Sequence, residues 1–229
     1  VRLKIAPSIL SADFSRLGEE IAKVERGGAH LIHVDVMDGC FVPQITIGAL
    51  VVKSIRPSAS LPLDVHLMVR DPENQIEQFL AAGADIISFH IEALSEPSEA
   101  IQRIKGEGKK VGIAVNPATP ISSLDRFLSR VDLFVLMTVN PGFAGQAFMG
   151  SVLPKIASLR KALDERGLKT DIEVDGGINL ATAKSAVQAG ATILVAGQAI
   201  FGSAEDPERA TRNLSLHLEA FLKRGKLPP

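Results

Sequence analysis

Cysteine is almost absent: the chain has one, Cys40, in 229 residues. An internal disulfide is thereby excluded, which suits a reducing compartment. Excess charge of either sign is missing as well. The formal net charge is −1 and the isoelectric point about 6.6, with both signs spread along the chain and no basic block. An electrostatic surface for nucleic acid or for a membrane is therefore not expected. No run of about 18 apolar residues occurs, the length that marks a spanning helix. The opening "VRLKIAPSIL" lacks the apolar core of a secretory leader. The expected location is cytoplasmic, or a plastid if a transit peptide was removed, since the chain starts without Met.

What is present is a supply of aliphatic residues, with hydrophobic types making up 46% of the chain. Short Val- and Ile-rich runs recur at 3–9, 31–37, 61–69, 85–91, 110–115, 132–139, 171–177 and 192–197. Their length and β-branched content mark eight strands. Segments with helical spacing lie between them, at 15–28, 71–84, 151–167, 179–191 and 206–225. Asp71 and Pro72 are set to open one of these helices. "GGAH", "AAGAD" and "QAGAT" are local echoes, each closing a helix with glycine before the next strand. Alternating strands and helices imply a parallel sheet. Eight such units in this length favour a closed (β/α)8 barrel, a TIM barrel, as a single domain over 1–229. The dinucleotide fingerprint G-x-G-x-x-G does not follow the first strand, which weakens an open Rossmann sheet.

The stretch "HVDVMDG" (33–39) places a histidine and two aspartates in what reads as a core strand. Side chains alternate across a strand, so His33, Asp35 and Met37 share one face and Ile32, Val34 and Val36 the other. The aliphatic face must meet the helices, and the polar face therefore points into the barrel. Asp38 has the opposite parity and reads as a turn-capping residue. The same alternation turns His66 and Met68 inward on the third strand, and Glu173 and Asp175 on the seventh. His33, Asp35, His66 and Asp175 lie toward the C-terminal strand ends, where barrel enzymes carry their chemistry. One buried histidine is ordinarily a hydrogen-bonded core group. Two imidazoles and two carboxylates on three strands instead suit one divalent metal ion: zinc, iron(II), manganese or cobalt. A metal also relieves the burial penalty of the carboxylates.

His90, in "SFHIEA", reads better as a structural group than as a site residue. Lys4, Asp64 and Glu173 share inward parity lower in the barrel, and are expected to form a buried ionic layer. Three glycine-containing loops, "NPGFAGQ" (140–146), "DGGI" (175–178) and "VAGQAIFG" (195–202), follow strands six, seven and eight. Barrels commonly hold phosphate there through backbone amides and a short helix. The amides of Gly145, Gly177, Gly197 and Gln198 are the expected donors. Met37, Met68 and Met137 are individually ordinary core filler, but together suggest a polarisable, water-poor floor beneath a substrate.

These residues fall in stretches that are recognisable. "APSILSADF", "HVDVMDGCFVPQITIG", "DVHLMV", "FHIEA", "MTVNPGFAGQ", "VDGGIN" and "VAGQAIF" resemble the ribulose-phosphate 3-epimerase family, in order from residue 6 to 201. The resemblance implies a (β/α)8 barrel interconverting D-ribulose 5-phosphate and D-xylulose 5-phosphate. It implies that His33, Asp35, His66 and Asp175 hold a divalent metal, that Asp35 and Asp175 are the acid/base pair, and that Ser8 and His66 meet the substrate. It matches the phosphate-binding stretches to Gly142, Phe143, Ala144 and Gly145, to Gly176 and Gly177, and to Gly197 and Gln198. Ala144 stands where the family commonly has Gly, Gln198 where Ser is common, and Gln44 where Asn is common. These departures bear on phosphate affinity rather than on proton transfer. The family forms homo-oligomers, so a homo-oligomer is expected, with a small phosphosugar as ligand and neither nucleic acid nor membrane as partner.

Inverting C3 beside a ketone requires loss of a weakly acidic proton and its return on the opposite face, which two opposed carboxylates can perform. The competing readings are an epimerase for a six-carbon ketose phosphate on the same centre, and a non-catalytic metal- or phosphate-binding barrel. A decarboxylase or aldolase fits less well, because such barrels lean on a strand-end lysine and none is found on strands two, three, six or seven.

Overall fold

In the computed structural model, which describes residues 3–94 and 96–223, every aliphatic run becomes a strand. β1 (Lys4–Pro7) leads to α1 (Leu17–Arg26), β2 (Ile32–Met37) to α2 (Ala49–Ile55), β3 (Leu63–Met68) to α3 (Glu73–Ala81) and β4 (Ile86–His90) to α4 (Ser98–Gly106). β5 (Lys110–Val115) crosses to β6 (Leu133–Met137) through a 3-10 segment, Ile121–Phe127, rather than an α-helix. The second half closes with α5 (Leu153–Asp164), β7 (Asp171–Asp175), α6 (Thr182–Gln188), β8 (Ile193–Ala196), the short α7 (Gln198–Phe201) and α8 (Pro207–Lys223).

The eight parallel strands form one sheet in the order β1-β8-β7-β6-β5-β4-β3-β2. The two ends meet through a parallel bridge between Ser8 and His33, and the sheet becomes a (β/α)8 barrel. Alternation places the outward Ile32, Val34 and Val36 in one large aliphatic shell with Ile21 and Val24 of α1 and Val52 and Ile55 of α2. Each such buried side chain contributes about 1.5–3 kcal/mol, so Val34→Asp on this face would break the layer. Ala6, Ala114, Leu133, Val135, Ile193 and Val195 fill the inside of the barrel with Met137.

The glycine echoes share one cause. Gly28, Gly83 and Gly190 take positive φ angles of 92°, 96° and 110°, turning the chain from helix into strand. At the opening of α3, Asp71 binds the Asn74 side-chain amide at 2.6 Å, and the helix starts at Glu73 behind Pro72. Asp71 is thus not the backbone cap its position suggested. Asp38 does cap a turn: its Oδ1 accepts the amides of Cys40 and Phe41 at 2.8 and 2.9 Å, and its Oδ2 that of Arg70 at 2.8 Å. Among the described residues, no helix is long and apolar enough to cross a membrane.

Candidate active site

The inward face of β2 carries His33 and Asp35, and parallel pairing to β3 sets His66 directly beside Asp35. Asp175 is the last residue of β7. Asp35 Oδ1 lies 3.3 Å from His33 Nε2 and 3.5 Å from His66 Nδ1, and Asp175 Oδ2 lies 3.5 Å from the same Nδ1. One ligand atom from each of the four residues falls within 4.8 Å of the others. His33 Nε2 and His66 Nδ1 are both buried without a hydrogen-bond partner.

The electrostatics are set by the crowding of carboxylates. Burial alone would lower the pKa of His33, but the charge of Asp35 near Nε2 and the carboxyl groups of Asp64 and Glu173 beside Nδ1 drive it well up. His66 is likewise opposed by burial and raised to about 9 by Asp175 and Asp35. Burial would raise Asp35, yet the two imidazoles hold its carboxyl far below the ordinary range. Mixed imidazole and carboxylate donors, with two orphaned nitrogens aimed at one carboxylate, fit a divalent metal ion.

The lower layer differs from the sequence expectation. Lys4 does not join Asp64 and Glu173; its Nζ pairs with Asp171 at 2.6 Å, with 29% of the side chain exposed. The four-carbon stem carries the ammonium down to the wetter barrel floor, so it is not buried with the inner carboxylates. His33 takes that place, its Nδ1 lying 3.1 Å from Asp64 Oδ2 and 3.2 Å from Glu173 Oε1. Burial and the neighbouring Asp64 charge push the Glu173 carboxyl up to about 8. A carboxylate behind a ligating imidazole fixes its orientation and tautomer.

Ser8 extends from the end of β1 and donates its hydroxyl to Asp35 Oδ2 at 2.5 Å. Two threonines that the sequence reading passed over hold the backbone of the aspartates. Thr46 donates to the Asp35 carbonyl at 2.6 Å and accepts the Met37 amide at 3.0 Å. Thr138 donates its amide to the Asp175 carbonyl at 2.7 Å, and its hydroxyl lies 2.6 Å from the Gly176 carbonyl. His90 is fully buried, as expected of a structural group, and its Nε2 sits 3.0 Å from His66 Nε2. Burial lowers its pKa to about 4, the nearby Glu92 only partly opposing this.

Above the polar cluster lies a cleft of about 290 Å³. Ser8, Asp35, Asp175 and all three inward methionines line it, with Gly142, Phe143, Ala144 and Gly145 on one side and Gly176, Gly177, Gly197 and Gln198 on another. His66 lies beneath, fully buried. Met37 and Met68 pack with Val42, Leu10 and Phe41, and Met137 with the barrel interior. Gly177 is required as glycine twice over: its φ is +67°, and a Cβ would run into the backbone of Phe148. The Gln198 side chain folds back over Gly202.

A parallel eight-stranded barrel with acids, imidazoles and glycine loops gathered at one mouth is the build of a (β/α)8 enzyme. The fold alone is shared with the crystal structure of 3-hexulose-6-phosphate synthase from Salmonella typhimurium, at TM-score 0.70 and 19% identity over 95% of this chain and 99% of that one. The family follows from sequence: the model of the Ribulose-phosphate 3 epimerase family matches residues 4–201, and the chain belongs to that family. It is 53% identical to ribulose-phosphate 3-epimerase of Bacillus subtilis, over 89% of this chain and 94% of the relative. Identity to the Escherichia coli K12 enzyme of the same name is 48%, over 86% and 88%. To the chloroplastic ribulose-5-phosphate-3-epimerase of Arabidopsis thaliana it is 50%, over 89% and 73%. The chain is accordingly an isomerase of the epimerase type.

Proposed function

We propose that this chain, as one domain, interconverts D-ribulose 5-phosphate and D-xylulose 5-phosphate by inverting C3, with Asp35 and Asp175 as acid and base. One observation carries the reading: Asp35 of β2 and Asp175 of β7 both line the cleft, and their carboxylates each lie 3.5 Å from the same nitrogen beneath it, His66 Nδ1. His33, Asp35, His66 and Asp175 would hold one divalent ion, either zinc, iron(II), manganese or cobalt. Bound there, it supplies Lewis-acid stabilisation of the negative charge that develops on the sugar oxygens beside C3.

The chain's own residues do the rest. For ribulose 5-phosphate, Asp35 takes the C3 proton while Asp175 returns one to the opposite face, and the roles exchange in the reverse direction. Ser8 keeps Asp35 oriented by its hydroxyl, and Thr46 and Thr138 fix the strand ends that carry the two acids. Met37, Met68 and Met137 keep water and stray protons from the planar intermediate. The phosphate is held by the loops at Gly142–Gly145, Gly176–Gly177 and Gly197–Gln198, where backbone amides act as donors. Since the Gln198 side chain is turned toward Gly202, its amide N–H rather than its carboxamide would serve. A homo-oligomer in the cytoplasm or a plastid belongs to the same proposal.

The test is incubation with ribulose 5-phosphate in D2O, following C3 by NMR. Deuterium at C3 together with xylulose 5-phosphate is the expected result. Release of a shorter fragment would replace epimerisation by cleavage, and absence of exchange would leave a binding barrel.

A further inference from the structure

His66 makes one contact that the proton-transfer chemistry does not use. Its Nε2 faces His90 Nε2 at 3.0 Å, the two rings stacked at 5.0 Å between centroids and 18° between planes. Both rings are fully buried. The other nitrogen of His90, Nδ1, lies 3.2 Å from Glu92 Oε2. Glu92 Oε1 accepts the Asn116 amide at 2.8 Å and the Thr119 hydroxyl. A single line of polar atoms thus runs from the candidate metal site through two imidazoles to a carboxylate at the end of β4.

Two ring nitrogens at hydrogen-bond distance need one proton between them, and either ring can supply it. The choice decides whether His66 Nδ1 presents a lone pair or a hydrogen to Asp35 and Asp175. A carboxylate can only accept, so Glu92 demands N–H at His90 Nδ1. With its hydrogen on Nδ1 facing Glu92, His90 offers the lone pair of Nε2, and the 3.0 Å contact is filled by the N–H of His66 Nε2. The lone pair of His66 is left on Nδ1, the atom that has no hydrogen-bond partner in the structure. We infer that Glu92, acting through His90, is a positioning residue that sets the tautomer of His66 and so makes its Nδ1 a metal ligand. The inference rests on the metal-site reading above and extends it to two residues outside the ligand set.

The substitution Glu92→Gln inverts the chain with little change of shape. Oε1 must still accept from Asn116 and Thr119, so the amide nitrogen takes the place of Oε2 and donates to His90 Nδ1. His90 then carries its proton on Nε2 and donates to His66, which must place its own hydrogen on Nδ1. Zinc and cobalt(II) affinities of the parent and E92Q are measured by competition with a chromophoric chelator. Long-range 1H–15N spectra of the zinc-free parent and zinc-free E92Q, taken above pH 9 where His66 is neutral, assign the tautomers. The expected result is about 10–100-fold weaker metal binding in E92Q, the usual effect of losing an outer-shell partner, with His90 switching from Nδ1–H to Nε2–H. Thr119→Ala, which leaves the carboxylate facing His90, should bind zinc as the parent does. Equal zinc affinity in parent and E92Q would overturn the inference. Should E92Q fail to fold, the zinc-free parent above pH 9 decides alone, since an Nε2–H on its His90 is equally fatal. Failure of the parent to bind zinc or cobalt stoichiometrically would instead overturn the metal reading itself.

Discussion

Ser8 donates its hydroxyl to Asp35 Oδ2 at 2.5 Å, across the seam where the barrel closes through the Ser8–His33 bridge. With Oδ1 turned toward the two imidazoles, this bond fixes the remaining oxygen of the carboxylate. A hydrogen bond to a charged group is worth about 1.5–3 kcal/mol, or about 10–100-fold in rate if it acts only in the transition state. Ser8→Ala should therefore lower kcat by that factor and leave near-UV circular dichroism unchanged. A parent-like kcat with a lowered Tm would assign Ser8 to seam closure alone.

Asp35→Asn and Asp175→Asn keep the shape of each side chain and remove its ability to carry a proton. Each should reduce turnover by at least about 10²-fold, the lower range for a positioned acid or base. The two variants should also differ in isotope exchange. Asp175→Asn retains the base proposed for ribulose 5-phosphate, so C3 deuterium should enter that sugar without inversion. Asp35→Asn should show the same for xylulose 5-phosphate. Near-native turnover in either variant would remove the two-carboxylate mechanism.

The barrel and the upper site were legible because strand parity is strict. In "IHVDVM" every second residue is aliphatic and packs outward, so the inward direction of His33 and Asp35 follows from the pattern alone. Parity does not give depth or partner. Lys4 has inward parity, but its stem is long enough to leave the inner layer for Asp171, and His33 takes its place. The role of His90 depends on β3–β4 register, which brings its ring against His66 from a neighbouring strand. Thr46 and Thr138 sit beyond strand ends, bonded to carbonyls 11 and 37 positions away in sequence. Nothing local announces those partners. The short α2 and the 3-10 crossing at Ile121–Phe127 span seven residues each, too few for a distinct amphipathic period.

Gly177 tests the phosphate loops. Any side chain there meets both an unfavourable φ of +67° and the Phe148 backbone, so Gly177→Ala must shift the loop after β7. The expected outcome is a KM raised by at least about tenfold, as for loss of one charge-assisted hydrogen bond. Competitive inhibition by inorganic phosphate should weaken in parallel. An unchanged phosphate inhibition constant would move the anion site elsewhere.

Asp85 gives a pH dependence remote from the cleft. Its Oδ2 accepts from Arg56 Nη1 at 2.7 Å and the Leu63 amide at 3.0 Å, and its Oδ1 lies 3.0 Å from Lys109 Nζ. Burial would raise its pKa, but Lys109, the Leu63 amide and Arg56 together hold it below the ordinary carboxylate value. A carboxyl depressed in the folded state stabilises the fold above its unfolded pKa of about 3.9 and loses that contribution as pH falls through the folded value. Urea unfolding should show Asp85→Asn less stable than the parent at neutral pH. The gap should narrow below about pH 4; a gap independent of pH would assign the effect to packing.

Divalent metal should stabilise the folded chain, because the four donors converge only when β2, β3 and β7 are assembled. A ligand at about a hundredfold excess over its Kd adds about 2.7 kcal/mol when only the native state binds it. For a chain of this size that corresponds to a Tm rise of about 5–10 °C. Zinc, iron(II), manganese and cobalt are to be compared on protein first dialysed against a chelator, with activity measured alongside Tm. The parent should lose activity on dialysis and regain it with the metal that gives the productive site. In Asp175→Asn the Tm rise should shrink, since one anionic donor is gone. A parent whose Tm and activity ignore both chelator and metal would leave the two orphaned imidazole nitrogens to protons, and Asp35 and Asp175 would have to work without a cation.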